Sequence, residues 1–229
     1  MAMAEKVKEH DFIELSYTGR LADGTVFDTT LKEVAEKKGL TTQNKKFGPL
    51  TVCVGEKQLL PGLDEELVGK EIGKDFIVEL SQEKAFGKRD VKKIQLVPLS
   101  TFKEHKLNPY PGLQVDFDGK IGTVMRATGG RVMVNFNHPL AGKDIVYECK
   151  VVGTVTDLKE QILTYISTGL QIDAKFVEVS IDGEKAVIKV PFEMPAPIVE
   201  MLQKKLTEIT KVKEVTFESS AEKMTAPQA

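Results

Sequence analysis

There is no tryptophan in these 229 residues, and there are only two cysteines and three histidines. Cys53 and Cys149 are far apart and form no C-x-x-C pair. They therefore read as small core hydrophobes, not as a disulfide or a thiolate metal site. His10, His105 and His138 are scattered, without the clustered Cys, His or carboxylate partners that hold zinc. Charge of one sign is also missing: 32 basic residues against 34 acidic ones leave a net charge of −2, with the two signs interleaved. No basic block marks a nucleic-acid footprint, so DNA and RNA are not expected partners. No run approaches the roughly 20 apolar residues that span a bilayer. The segment MAMAEKVKEHDF carries no apolar stretch of signal-peptide length. A cytoplasmic protein with no membrane partner is the expectation. The hydrolase and nucleotide motifs are absent too: no G-x-S-x-G elbow, no P-loop and no metal-ligand spacing, so no cofactor is expected.

What is present is a globular composition, 41% hydrophobic and 29% charged, long enough for two or three domains. FIELSYTG at 12–19 alternates, with Ile13, Leu15 and Tyr17 on one face, as a half-buried strand does. After an ADG turn, TVFD starts a second extended run. Residues 31–46 read as a helix stopped at Gly39 and followed by a polar loop, and Leu50 to Val54 as a strand. Pro61-Gly62 precedes a short helix, LDEELVG, whose early acids suit the helix dipole. Phe76, Val78 and Leu80 alternate as a further strand, and IVYECKVVGTV at 145–155 is a long one.

Residues 91–137 carry strand signals of their own (IQLVPL, GLQVDFD, KIGTVMR and RVMVNFN) with turn pairs at Asp118-Gly119 and Gly129-Gly130. A stretch this long and this patterned is not a plain loop. It reads as a small β-rich domain inserted in a loop of the first. From Leu158 the order is α-β-β-α-β, with a hairpin at Asp182-Gly183 and a helix stripe of Ile198, Leu202, Leu206 and Ile209. The tail ESSAEKMTAPQA reads as frayed. The expected class is α+β, with domains at 1–90 plus 138–157, at 91–137 and at 158–229.

A chain with no nucleophile and no metal can still catalyse rotation about an Xaa-Pro amide, because no covalent bond is made or broken. Four blocks occur in order: YTGRLADGTVFD at 17–28, VGEKQLLPGLDEEL at 54–67, KAFGKRD at 84–90 and HPLAGKDIVYECKVV at 138–152. Together they resemble the FKBP family of prolyl isomerases. The segment between the third and fourth resembles the insert-in-flap chaperone domain of the SlyD-like branch, and the added C-terminal segment resembles the long-chain archaeal FKBPs. The resemblance implies a bent antiparallel sheet around a short helix, with a proline pocket between them. It implies catalytic roles for Tyr17, Asp28, Leu60, Phe86 and Tyr147, with Asp28 held by Tyr17 and the Leu60 N–H offered to a substrate carbonyl. It implies substrate contacts from Phe27, Leu50, Leu59 and Leu63.

Two positions depart from the family pattern: Leu63 stands where tryptophan is common, and Phe86 where a tyrosine is. Both weaken the expectation of macrolide binding. The expected partners are unfolded chains containing Xaa-Pro bonds. Client contacts in the insert are expected among Val97, Leu99, Phe102, Phe117, Met125, Val132, Met133 and Phe136, since a promiscuous groove suits methionines and surplus apolar residues. The competing reading is a holdase with a vestigial pocket. The C-terminal domain, about 70 residues long and so with little stability to spare from its own core, is expected to dock on the first domain or to pair as a homodimer, the second being favoured.

Overall fold

The computed structural model describes residues 5–40, 47–117 and 119–219. The far end of the loop after Gly39, Asp118 of the Asp118-Gly119 turn and the tail from Ser220 lie outside the described residues. Strand β1 (Phe12–Leu21) is paired on one edge by β2 (Val26–Thr29) and β3 (Leu50–Cys53). Between β2 and β3, α1 (Lys32–Lys37) is a six-residue helix, shorter than its sequence suggests, and Gly39 follows it at φ +66°. Helix α2 (Pro61–Leu67) starts at a proline whose missing N–H costs a first turn nothing, and it buries Gly62, Leu63, Asp64 and Leu67. Strand β4 (Asp75–Leu80) follows.

The described chain divides into two units, 80–145 and the rest. In the 80–145 unit a four-stranded sheet runs β5 (Ile94–Pro98), β8 (Arg131–Asn135), β7 (Lys120–Thr128), β6 (Gln114–Phe117) in space, and helix α3 (Leu99–Glu104) follows β5. That helix is not visible as such in the sequence, where Leu99 reads as the end of a strand. Pro98 ends the strand, and the next turn is wound so that Phe102 fills the core at 0% exposure. Phe102, Val115, Val124, Val132 and Val134 form that core, with Val97, Leu99, Phe117 and Phe136 packed against it. Gly129 and Gly130, both at positive φ, turn the chain between Thr128 and its partner Arg131. The neck of the insert is clasped: the Asp90 N–H donates to Asn137 Oδ1 at 2.8 Å, and Asn137 Nδ2 donates to the Asp90 carbonyl at 2.8 Å.

Strand β9 (Ile145–Thr154) completes the first sheet, in the order β2-β1-β9-β4 with β3 also on β1. The C-terminal part adds α4 (Leu158–Leu170), β10 (Glu178–Asp182), β11 (Lys185–Val190), α5 (Ala196–Ile209) and β12 (Glu214–Ser219). Its sheet runs β10-β11-β12, with β11 and β12 parallel because α5 carries the chain back between them. Ile162 and Ile166 from α4 and Leu202 and Leu206 from α5 meet Val179, Ile188 and Val190 in a core of its own. Ile198 departs from its expected stripe and is 39% exposed, and Met201, which is not on that stripe, is 62% exposed.

This part docks on the first sheet. Phe12 and Cys53 pack with Val155 and Ile209, against the ring of Tyr165. The contact explains why Phe12 is buried although the alternation of β1 turns it away from Ile13 and Leu15. Docking is one of the two routes expected for hiding the remaining apolar surface.

Both thiols are sealed. Burial pushes Cys53 and Cys149 up to about 12, with the carboxylates of Glu56 and Asp64 adding to the effect at Cys53. A thiol whose folded value is raised contributes stability in full below the unfolded value near about 8.5, and loses it as pH climbs toward the folded one. Neither cysteine is expected to react with iodoacetamide at pH 8 unless the chain is denatured, and urea midpoints are expected to fall above about pH 9. Fast labelling of native protein would show that the seam opens.

Candidate functional site

Strands β1 and β2 pair antiparallel with Thr18 opposite Thr29 and Gly19 opposite Asp28, and a bulge follows Gly19. This register brings Tyr17 beside Asp28. The Tyr17 hydroxyl donates to Asp28 Oδ2 at 2.8 Å, and the Thr29 N–H donates to Oδ1 at 2.9 Å. Burial, and then the Asp28 carboxylate, hold the Tyr17 phenol far above its ordinary range, so it remains a donor. The backbone of Tyr17 is itself fixed by hydroxyls: its N–H donates to Thr30 Oγ1 at 3.0 Å, and Thr29 Oγ1 donates to its carbonyl at 3.1 Å.

Tyr147, on β9, is 5% exposed and stands edge-on to two rings. It lies 5.5 Å from Tyr17 at 78° and 5.9 Å from Phe27 at 81°. Edge-to-face pairs add about 0.5–1.5 kcal/mol each beyond burial and set ring orientation. Burial also raises the Tyr147 phenol. Gly19 makes this possible, since a Cβ there would stand 2.7 Å from Phe27 Cζ and 2.8 Å from Tyr147 Cε1. Gly19 is the residue that reading the sequence missed. Its only signal is a glycine inside a strand, which marks close approach.

The second part is the loop from Cys53 to Leu60. Gly55 and Lys57 both have left-handed backbone, φ +86° and +56°. Their N–H groups donate to the two oxygens of Asp64, at 2.9 and 3.0 Å, and the Cys53 N–H donates to Gln58 Oε1 at 2.8 Å. Asp64, read from the sequence as a dipole-matched acid, is thus a loop clamp, 5% exposed. The loop delivers Leu59 and Leu60, both half-buried, to the start of α2. The Leu60 carbonyl caps α2 by accepting from Leu63 and Asp64, and its N–H donates to no group among the described residues.

The structure therefore joins Tyr17, Phe27, Asp28 and Tyr147 in one cluster. Leu50, on β3, pairs with Leu15 of β1 and is 39% exposed, and Leu63 is buried in α2 at 2%. Phe86 belongs to the other unit, where its ring stacks on His138 at 4.5 Å. His138 accepts the Leu140 N–H through Nδ1 at 3.2 Å, a loop role. A cavity of about 510 Å³ is lined by Ser16, Tyr17, Thr18, Ile77, Glu148, Cys149 and Lys150 among others. By strand alternation Ser16, Thr18, Glu148 and Lys150 face away from the Tyr17–Tyr147 side, although Tyr17 and Cys149 also border the cavity. In the insert, Phe102 and Val132 are 0% exposed and serve as core, with no surface for a client, whereas Met125 is 41% exposed. Among the described residues no cluster of His, Cys, Asp and Glu is arranged to hold a metal, and no helix is long and apolar enough to cross a membrane.

Comparison with known proteins gives two family models. One, described as FKBP-type peptidyl-prolyl cis-trans isomerase, matches residues 3–103, and one described as FKBP26, IF domain, matches 95–140. The short-type peptidyl-prolyl cis-trans isomerase of Methanocaldococcus jannaschii is 30% identical over 149 residues, which is 65% of this chain and 94% of that protein. The probable FKBP-type 16 kDa peptidyl-prolyl cis-trans isomerase of Pseudomonas fluorescens is 27% identical over 65% of this chain and 91% of its own length. The FKBP-type peptidyl-prolyl cis-trans isomerase SlyD of Vibrio cholerae is 28% identical over 69% of this chain and 73% of its own.

Proposed function

We propose, from the premise that the chain belongs to the FKBP-type peptidyl-prolyl cis-trans isomerase family and is such an isomerase, that it acts on proline-limited folding of client polypeptides through the Tyr17–Asp28–Tyr147 cluster. The observation carrying this reading is the half-buried Tyr17–Asp28 hydroxyl–carboxylate pair, whose phenol ring packs with those of Tyr147 and, through it, Phe27. Rotation about an Xaa-Pro bond is opposed by amide resonance, a barrier of about 18–20 kcal/mol. The planar amide is the more charge-separated form, so an apolar lining favours the twisted form by comparison. Phe27, Tyr147 and the half-buried Leu59 supply that lining. The Leu60 N–H holds the substrate carbonyl, and Asp28, oriented by Tyr17, sets a carboxylate beside the rotating amide. No proton need move, so Tyr17 works as an orienting donor throughout.

The second half of the proposal is a chaperone role for the insert, which holds unfolded clients. The motivating observation is that Leu96, Ile121 and Met125 are exposed at 58%, 68% and 41% on a small sheet with its own core.

Asp28→Ala is expected to lower kcat/KM on a short Xaa-Pro peptide by about tenfold, the worth of one charge-assisted hydrogen bond, without unfolding the chain. Peptide isomerisation assays with circular dichroism measure both. An unchanged rate removes Asp28 from the mechanism and returns the holdase reading to the front.

A further inference from the structure

Glu56 lies in the loop between β3 and α2, three residues before Leu59, and its side chain is 7% exposed. Its carboxylate meets groups from three other places in the chain. Lys205 Nζ, on α5, is 2.9 Å from Oε1, and the Tyr165 hydroxyl, on α4, donates to Oε2 at 3.3 Å. His10 Nδ1 is 3.2 Å from Oε1. A carboxylate this buried persists only with partners such as the Lys205 ammonium and the Tyr165 hydroxyl. Two of the three come from the C-terminal helices, above the apolar seam of Phe12, Cys53, Val155 and Ile209. The same loop is gripped from its other side by Asp64, through the Gly55 and Lys57 N–H groups. Lys57, a residue with a Cβ held at φ +56°, needs such surroundings to keep its conformation.

We propose that Glu56 is a positioning residue for isomerisation, through which the C-terminal domain sets the conformation of the substrate loop. Lys205 and Tyr165 hold the Glu56 carboxylate, and the carboxylate fixes the 55–58 backbone. That backbone presents Leu59 and the Leu60 N–H, which donates to no group among the described residues. Without the ammonium, the buried carboxylate turns toward water, and the loop that carries Leu60 turns with it. The inference rests on the reading of Leu60 as donor to the substrate carbonyl. That hydrogen bond is made in the planar and twisted states alike, so its loss appears in KM and leaves kcat alone.

The test uses the full chain. Lys205→Met is expected to raise KM for a short Xaa-Pro peptide up to roughly tenfold at unchanged kcat, the worth of the one neutral N–H to carbonyl hydrogen bond that Leu60 would lose. The Leu60 amide resonance of the substrate-free protein is expected to move in the same variant. Lys205→Arg is expected to restore both, and Tyr165→Phe, which deletes a single oxygen, to shift both in the same direction by less. The Lys205 side chain is 31% exposed, so the variant is expected to fold, and Tyr165→Phe carries the test if it does not. A moved resonance with unchanged KM supports the coupling and overturns the assignment of Leu60 as donor. An unmoved resonance overturns the proposal, whatever KM does.

Discussion

Excising residues 91–136 and joining Asp90 to Asn137 is expected to leave isomerisation of a short peptide largely intact while cutting catalysed refolding of a proline-limited protein roughly a hundredfold or more. The two ends are already bonded to each other: Asp90 and Asn137 exchange two hydrogen bonds of 2.8 Å, so a short turn closes the gap. The excised piece keeps its own sheet and its own core around Phe102, so its removal takes away a folded module and leaves no torn sheet behind. The difference between substrates follows from effective concentration. On the proposed client-holding role, a client held by the exposed Leu96, Ile121 and Met125 would meet the isomerase many times per encounter, and a tetrapeptide too small to be held would gain nothing from them. Parallel assays on a peptide and on a refolding protein measure both rates. Equal losses on both substrates would assign the insert to shaping the isomerase site.

Gly19→Ala is expected to reduce kcat/KM on the same peptide by about tenfold to a hundredfold. The added methyl would fall 2.7 Å from Phe27 and 2.8 Å from Tyr147, inside van der Waals contact with both rings. Those rings are held by the Tyr17 edge contact and by the sheet, so they cannot part without leaving the cluster. Overpacking of this kind costs about 1–3 kcal/mol, and if the strain falls on the site it converts to the stated range. Arg20→Ala, one residue along, removes a surface pair with Glu148 and serves as the control. Peptide kinetics beside thermal melts separate a reshaped site from an unfolded one. Wild-type kinetics in Gly19→Ala would mean that the rings yield freely and that the cluster has no fixed geometry.

Several features were readable in the residues alone because their cause is local. Alternation places Ile13 and Leu15 in the core, since a strand turns every second side chain to one face. The paired glycines at 129–130 turn a hairpin because both positions need positive φ. The C-terminal order α-β-β-α-β with its three strands follows from period and turn chemistry. Resemblance, and not periodicity, pointed to the pairing of Tyr17 with Asp28. Other features had no local signature. α3 is hidden because its six residues are too few to establish a period, and Phe102 is helical by virtue of the core it fills. The half-exposure of Ile198 and the burial of Phe12 depend on what each meets across space, which neither neighbour in sequence announces.

By itself, then, the sequence determined the kind of chemistry open to this protein and the order of its modules. Four blocks in order, from Tyr17 to Val152, resemble a family whose chemistry is amide rotation, and the chain's strands and helices are written in their own periods. Tertiary structure alone decided which groups act together. Gly19 matters because two rings from elsewhere in the chain close over it, and Asp64 because a loop folds its N–H groups onto the carboxylate. Glu56 matters because Lys205 and Tyr165 arrive from the C-terminal helices. The physical reason is one of range. Backbone preference and alternation act between neighbours and leave a trace in composition, whereas steric exclusion and the pairing of buried charges act only between groups that folding has already brought within a few ångströms.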